Sequence, residues 1–445
     1  MTHITVLSIG GSDSGGGAGI QADVKTFAAL DVHGTTAITA ITAQNTLGVS
    51  QVFPLDPGQV QSQLEAVLED FEIAFAKTGM LYSPEIVSLV ADVLRRWKVG
   101  LVLDPVMAAE AGGLLLGSRA RDPLVRELIP LAAVVTPNIF EARALTGLPV
   151  RDREGAVEAG KKIVEMGAQA AVVTGGHLDM TDVLVTADQV HLLPGRREAG
   201  GNHGVGCTYS AALTAYLARG LPMVEAAGKA QQFAAMAVAR SRPAGRGVHP
   251  VNQTGSLQDQ AMRFSALCSL DQGLTALLDE PDFWEFIPEV GSNLAMAVPG
   301  AAGPEDVAAV EGRLVRAGRR VHQSGCLRFG ASNHMARAVL AAMKFDPRVR
   351  AAMNLRHSQE MLNAAQELGL SMASFDRRDE PEGEETMSWG VAKAAEETGF
   401  VPEIVWDGGG LGKEPMIRLL GIDALTVAAL AVRIVRFCKK GDRKI

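Results

Sequence analysis

The chain has 445 residues, 47% of them apolar, and 42 Lys and Arg against 50 Asp and Glu give it a net charge of −8. That length exceeds one ordinary core and fits two domains of roughly 200 residues each. The acidic balance argues against a nucleic-acid or anionic-membrane partner held by bulk charge. Cys207, Cys268, Cys326 and Cys438 form no CxxC pair, which argues against zinc or a disulfide framework and suits a reducing cytoplasm. Met1-Thr2-His3-Ile4 runs straight into a strand pattern, and no apolar run is long enough for a bilayer, so the expectation is a soluble cytoplasmic protein.

In chain order, Thr5–Ile9 reads as a short buried strand and Gly10–Gly19 as a loop. Ile20, Val24, Phe27 and Ala28 recur at helical spacing, and Thr35–Thr42 is β-branched and strand-like. Val60, Leu64, Val67 and Leu68 mark a helix starting near Pro57. Further strand patterns fall at Ala74–Lys77, Gly100–Asp104, Ala133–Thr136 and Ala170–Thr174, with helices at Pro84–Trp97 and Gly155–Met166. This alternation predicts an α/β domain with a mainly parallel sheet covered on both faces. Ligands in such sheets gather at the carboxyl ends of the strands, which directs attention to Asp13, Gln44, Lys77, Asp104, Asn138 and His177. Helical patterns follow at Thr208–Arg219 and Met223–Arg240, and periodicity fails at Ser241–Ser256, a Pro- and Gly-rich linker or surface strap.

Beyond it a second α/β alternation begins with a helix near Gln258–Leu278 and strand-like Leu294–Val298 and Arg313–His322. Helices near Ser332–Phe345 and Ser358–Leu368 flank the apolar Ala351–Leu355. Leu370–Phe375 and Glu403–Trp406 are strand-like, Ser388–Thr398 and Asp423–Phe437 helical, and the charged Asp376–Glu385 reads as a solvated loop. The domains expected are 1–245, a linker and connecting helix over 246–279, and 280–445.

The first half is organised around Gly200-Gly201-Asn202-His203-Gly204-Val205-Gly206-Cys207-Thr208, a glycine-punctuated loop that runs into an apolar helical pattern. A helix start offers unpaired N–H groups and the positive end of a dipole, hence an anion site. On spacing alone Cys207 is either a reactive thiol or a buried structural cysteine.

The residues around this loop carry a resemblance. Gly10 to Asp23 (GGSDSGGGAGIQAD) resembles the opening of hydroxymethylpyrimidine kinases, members of the ribokinase-like superfamily. The same family is matched, in order, by Thr42-Ala43-Gln44-Asn45-Thr46, Lys77-Thr78-Gly79-Met80, Leu103-Asp104-Pro105-Val106-Met107, Thr136-Pro137-Asn138 with Glu141, Gly175-Gly176-His177-Leu178, and Gly204 to Thr208. The resemblance implies a three-layer ribokinase-like domain. It also implies ATP- and magnesium-dependent phosphorylation of 4-amino-5-hydroxymethyl-2-methylpyrimidine and then of its monophosphate. It assigns Gly11, Asp23, Gln44, Met80 and Met107 to the pyrimidine. Gln44 offers both a donor and an acceptor to an aminopyrimidine edge, and the methionines an adaptable apolar wall. Asp104 would hold or orient magnesium, and Asn138, Glu141, Thr174, Gly204 and Gly206 would serve the nucleotide phosphates. Capping of Ile139–Leu145 is the alternative for Asn138. Cys207 would accept the substrate hydroxyl proton as a thiolate, its pKa lowered by the helix N-terminus. Thr174 stands where the family typically has a lysine, and Val205 and Asn202 where it has threonines. A homo-oligomer, dimeric through the kinase domain, is the matching expectation.

In the second half, Ser332 can cap a helix that carries His334 in its first turn and Arg337 one turn on, a pair suited to diphosphate. Asn354 to Ser358 and Asp407 to Pro415 add charge beside flexible backbone. Val290 to Ala295, Phe329 to Ser332 with His334 to Arg337, Ser374 to Arg378, Trp389-Gly390 and Gly412 to Pro415 look like the ThiN-type thiamine-phosphate synthase domain. That implies coupling of the pyrimidine diphosphate to 4-methyl-5-(2-phosphoethyl)thiazole with release of diphosphate. His334 and Arg337 are expected at the leaving diphosphate or thiazole phosphate, Arg320, Arg356 and Lys413 as further anion partners, and Asn293 on the pyrimidine. The alternatives are a pyrimidine or pyridoxal kinase joined to a non-catalytic domain that senses thiamine phosphate. A DNA-binding regulator is disfavoured by the acidic chain.

Overall fold

Buried apolar runs alternating with capped helices build the first sheet, as the pattern anticipates. The computed structural model describes residues 3–107, 121–381, 386–410 and 412–442. Two units separate, Met1–Gln258 and Asp259–Ile445.

The first unit holds nine strands: β1 Thr5–Asp13, β2 His33–Asn45, β3 Gly48–Pro54, β4 Ile73–Thr78, β5 Gly100–Leu103, β6 Ala132–Val135, β7 Ala170–Val173, β8 Thr181–Thr186 and β9 Val190–Pro194. They form one sheet in the order β3-β2-β1-β4-β5-β6-β7-β8-β9. The middle from β2 to β7 is parallel, and the edges β3, β8 and β9 are antiparallel. Period-2 alternation sends Leu7 and Ile9 to one face, against the helices Pro57–Asp70 and Pro84–Trp97. Val6 faces the other way, against Phe27 and the helix Val205–Ala218. Those helices start where their sequences say. Asp56 makes a capping box with Gln59 ahead of Pro57, and Ser83 caps Ile86 N–H ahead of Pro84.

Two expectations change here. Gly10–Asp13 is not loop but the end of β1, which pairs with β2 through an irregularity between Gly10 and Ser12. A Cβ on Gly11 would stand 2.5 Å from the Met80 methyl, so glycine lets the strand run beneath that side chain. The stretch after Ser241 is a strap held on the first unit: Val248 N–H donates to Thr46 O, Val251 N–H to His203 O, and Gln253 Nε2 to Thr208 Oγ1. Residues 246–258, expected as linker, therefore belong to that unit.

The second unit has β10 Leu294–Ala297, β11 Val307–Val310, β12 Leu314–Ala317, β13 Arg320–Gln323, β14 Leu327–Phe329, β15 Ala351–Arg356, β16 Met372–Phe375, β17 Ile404–Asp407 and β18 Met416–Gly421. Seven of these make a sheet in the order β14-β11-β10-β15-β18-β17-β16, antiparallel except for the β16/β17 pair. β12 and β13 form a separate hairpin, so Arg313–His322 is not one strand but a turn back. One face of the sheet packs Leu294, Met353 and Leu419 against the helices Gly255–Leu278 and Ala424–Asp442. The other packs Ala295, Ala352 and Val405 against the helices Asn333–Phe345 and Thr386–Thr398. Within Asp376–Glu385, Arg377–Asp379 forms a 3-10 turn, and residues 382–385 lie outside the described residues.

Candidate active sites

In the first unit the carboxyl ends of the parallel strands open into one cleft of ≈ 1760 Å³. Gly11, Asp23, Gln44, Met80, Asp104, Met107, Asn138, Glu141, Thr174, Gly204, Gly206 and Cys207 all line it, although they come from seven separate stretches of sequence. β1 delivers Gly11 and Asp13, β5 ends just before Asp104, and the helix Val205–Ala218 starts at Cys207's own turn. Gly204 caps that helix with φ 88°, a left-handed conformation that glycine takes without strain. The following amides of Gly206 and Cys207 belong to the first turn and have no intrahelical acceptor.

Beneath the cleft lies a buried charge cluster. Lys77 Nζ donates to both Asp23 oxygens at 2.8 and 2.9 Å, while Ser8 Oγ donates to Asp23 Oδ2 at 2.6 Å. The same ammonium is 4.0 Å from Asp104 Oδ2, which also accepts from Ser210 Oγ at 2.8 Å. Burial alone would lower the Lys77 pKa, but Asp23, Cys207 and Asp104 outweigh it and hold the ammonium above the usual lysine range. Asp23 is thus committed to Lys77 and Ser8 rather than free for a pyrimidine, which corrects its expected role. Three hydrogen bonds from these two partners leave its oxygens little capacity for a ligand.

Cys207 requires a second correction. Burial pushes its thiol up to about 12, and Lys77 with the Gly19 amide only partly offsets this against the added repulsion of Asp23 and Asp104. The helix N-terminus is there, but desolvation outweighs it, so at neutral pH the resting group is a thiol and not a thiolate.

Asn138 caps the helix Ile139–Thr146: its Oδ1 accepts from Phe140 N–H at 2.9 Å and Glu141 N–H at 3.0 Å, and Glu141 Oε2 accepts from Asn138 N–H at 2.9 Å. Burial, and next the charge of Asp104, push the Glu141 carboxyl up to about 8. Two mutually repelling carboxylates opening on the same cleft fit a hard divalent cation, which would relieve the repulsion. Magnesium characteristically takes one or two carboxylates plus phosphate oxygens. Among the described residues no group of three His, Cys, Asp or Glu side chains forms a denser metal site.

Sequence reasoning pointed to Asp13 by its place at a strand end and to His203 within the loop without giving either a role, and it missed Ser210. Asp13 accepts from the amides of Gly15, Gly17 and Ala18 and faces His203 Nε2 at 3.0 Å, which fixes the glycine loop. Lys77 carried a visible signal, a lysine inside an apolar strand, without a stated role.

In the second unit Ser332 caps the helix Asn333–Phe345, with its Oγ accepting from Met335 N–H at 3.3 Å. His334 stands in the first turn. Burial, and then the charges of Arg418, Arg313, Arg337 and Arg377, push its imidazole down to about 4, although the residue still reaches solvent. His334 is therefore neutral at pH 7. Below the arginines sits Asp407, fully buried at the end of β17. It accepts from Arg377 Nε at 2.5 Å, Arg377 Nη2 at 3.1 Å and Gly409 N–H at 2.8 Å, and its Oδ2 lies 2.8 Å from Arg418 Nη2. Arg418 is itself 0% exposed, stacks 5.2 Å from the Phe375 ring, and has a buried Nη1 with no hydrogen-bond acceptor among the described residues.

Of the expected residues, His334 and Arg337 lie together in this electropositive centre. Arg320 on β13 and Arg356 at the end of β15 are exposed, and Lys413 faces Glu380 at 3.7 Å. None of these three is among the cations that act most on His334. Asn293 is a correction. Its Nδ2 donates to Val310 O at 2.9 Å and Gly312 O at 3.3 Å, and its Oδ1 accepts from Val310 N–H at 3.0 Å. Only 4% exposed, it locks β10 to the β11 end and has no hydrogen left for a pyrimidine. Arg313, Arg377, Arg418 and Asp407 went unassigned. Arg377 lay inside a quoted motif, and Arg418 inside an otherwise apolar strand.

The first sheet and its cleft define a ribokinase-like kinase unit, followed by a second α/β unit with an anion-type centre. The phosphomethylpyrimidine kinase family matches residues 13–252, and the family described as thiamine-phosphate synthase ThiN matches residues 269–433. The bifunctional thiamine biosynthesis protein ThiDN of Methanocaldococcus jannaschii is 32% identical over 426 residues, 95% of this chain and 96% of that protein. The hydroxymethylpyrimidine/phosphomethylpyrimidine kinase of Haemophilus influenzae is 46% identical over 256 residues, 56% of this chain and 95% of that one. Among solved structures, pyridoxal kinase of Bacillus subtilis in an ADP complex shares 37% identity at a TM-score of 0.54, covering 58% of this chain and 99% of that one. Pyridoxal kinase of Staphylococcus aureus with pyridoxal gives 34% and 0.54, over 58% of this chain and 96% of the other. The chain belongs to the bifunctional thiamine-biosynthesis family of the ThiDN type, with a phosphomethylpyrimidine kinase unit followed by a thiamine-phosphate synthase unit. No helix among the described residues is long and apolar enough to cross a membrane.

Proposed function

We propose that the first unit uses ATP and magnesium to phosphorylate 4-amino-5-hydroxymethyl-2-methylpyrimidine and then its monophosphate. The second unit joins the resulting diphosphate to 4-methyl-5-(2-phosphoethyl)thiazole, giving thiamine phosphate and diphosphate. The observation that carries the kinase half is one cleft lined both by Asp104 and Glu141 and by the first turn of the helix Val205–Ala218. Asp104 and Glu141 would hold the cation, which would supply positive charge to offset that of the nucleotide phosphates. The Gly206 and Cys207 amides bind the transferring phosphoryl group, where catalysis of this reaction mostly lies. Gln44, Met80 and Met107 seat the pyrimidine. Cys207, a neutral thiol at rest, orients the hydroxymethyl oxygen, and a loose transfer asks little of a base early in the step.

In the synthase half the C–O bond to diphosphate breaks at the pyrimidine methylene, and the thiazole nitrogen supplies the electron pair of the new C–N bond. Arg313, Arg337 and Arg377 with neutral His334 bind the departing anion, and exclusion of water protects the cationic carbon. Ile41 and Phe53, register partners across β2 and β3, are 48% and 52% exposed and offer an apolar patch for a dimer through the first unit. The cysteines, all free, suit the cytoplasm.

The test supplies ATP, magnesium, the hydroxymethylpyrimidine and thiazole phosphate and looks for thiamine phosphate, then repeats with pyrimidine diphosphate in place of the first two substrates. Product in both arms is expected. Product only in the second defeats the kinase reading, and none in either defeats the synthase reading.

A further inference from the structure

The arginine cluster contains a carboxylate that no ligand can reach. Asp407 is 0% exposed, yet it accepts hydrogen bonds from both Nε and Nη2 of Arg377 and pairs with Arg418 from the other side. Arg377 stands in the short turn Arg377–Asp379, whose backbone does little to aim a long side chain. Its guanidinium is aimed instead by the fork onto Asp407 and by a weaker 3.4 Å contact from Nη2 to Glu414 O. That leaves Nη1 without an acceptor among the described residues, on a side chain still 12% exposed and close enough to His334 to act on it. Arg418 is different. Its guanidinium is sealed from solvent and cannot grip a substrate, but its charge means that the single Asp407 carboxylate does not neutralise the pair of arginines. A buried cluster with one excess positive charge is expensive unless it serves an anion nearby.

We propose that Asp407 is a positioning residue of the synthase site, fixing the Arg377 fork so that Nη1 faces the phosphate-bearing substrates, with Arg418 as the buried charge that leaves the triad net positive. The inference rests on the synthase reading above. A fixed guanidinium binds an anion without first losing side-chain freedom, which is the advantage of preorganisation.

The full chain is tested as Asp407→Asn, Arg377→Ala, Arg377→Lys and the double variant Asp407→Asn with Arg377→Ala. The readouts are inhibition of coupling by inorganic diphosphate, KM for the two phosphate-bearing substrates, and kcat. Asp407→Asn and Arg377→Ala should each weaken diphosphate inhibition and raise one KM by about tenfold or more, with a smaller change in kcat. The double variant should be no worse than the worse single, because both remove one interaction. Arg377→Lys should not rescue, since an ammonium cannot form the fork. Multiplying effects in the double variant, or normal inhibition in a folded Asp407→Asn protein, would overturn the proposal. If Asp407→Asn does not fold, Arg377→Lys decides, and wild-type inhibition in that variant overturns it. Wild-type protein that fails to couple the two substrates would instead remove the synthase reading, and the Asp407 role with it.

Discussion

Lys77 in the first unit and Asp407 in the second are both completely buried, and both sit between two groups of opposite charge. The signs are reversed. One ammonium serves two carboxylates, Asp23 and Asp104, and the local excess is negative. One carboxylate serves two guanidiniums, Arg377 and Arg418, and the local excess is positive. Each excess matches the charge of what the neighbouring site has to hold: a divalent cation beside the nucleotide in the first, and phosphate groups in the second. Burial is the shared device. Low dielectric strengthens both clusters and makes any unpaired member costly.

The largest effect should come from breaking the first cluster. Lys77→Met leaves Asp23 and Asp104 buried without a cation and should cost about 3–5 kcal/mol, read by denaturant unfolding of the first unit. The sign of its pH dependence follows from the raised pKa of both carboxylates, caused first by burial. A raised carboxylate favours the fold below its unfolded pKa, and that contribution is lost as pH rises through its folded pKa. The deficit should therefore shrink as pH falls below neutral; a deficit independent of pH would dissolve the comparison.

Asn293→Ala comes next, at about 2–3 kcal/mol, because Val310 N–H, Val310 O and Gly312 O lose their partner. Unfolding and kinetics together check it. Loss of stability with near-normal KM is expected, whereas raised KM with unchanged stability would return Asn293 to the substrate.

Arg418→Met should cost less, about 1–2 kcal/mol, since Asp407 keeps Arg377 and the Gly409 amide. Diphosphate should inhibit coupling more weakly in this variant. Stronger inhibition would mean that the excess positive charge has another purpose.

The smallest structural change is chemical. With its thiol pushed up to about 12, Cys207 should alkylate slowly with iodoacetamide at pH 7, and its rate, followed by peptide mass spectrometry, should still be rising at pH 10. A plateau below pH 8 would restore the thiolate. Cys207→Ala should sharply reduce the first phosphorylation while changing stability by no more than about 1 kcal/mol, measured by turnover and thermal unfolding.

The inner strands were readable because β5, β6 and β7 are unbroken buried runs, and the helices because Asp56, Ser83 and Ser332 cap them. The edge strands β3, β9 and β14 were not read, nor were β8 and β11 inside their sheets. β9 and β14 are short and half exposed, and β8 follows a turn with no hairpin dipeptide. β18 was missed for a different reason. A charged residue in its centre contradicts a core strand until a partner carboxylate is known.

The sequence by itself determined the two α/β units, the glycine-rich turns of the cleft, and the ordered motifs that carry the family. These depend on local spacing and on residue types that neighbours in the chain can express. Tertiary structure decided which charges meet. Asp23 turned from substrate to Lys77, Asn293 from ligand to strand lock, and Arg418 became the counter-charge of Asp407. It also reversed the expectation for Cys207. The helix start that should lower its pKa is encoded locally, but the desolvation that raises it comes from elements packed on that helix from far away in sequence, the helix Gly19–Ala29 and β4 among them. Desolvation is a property of the assembled fold, and here it outweighs the dipole of a single helix.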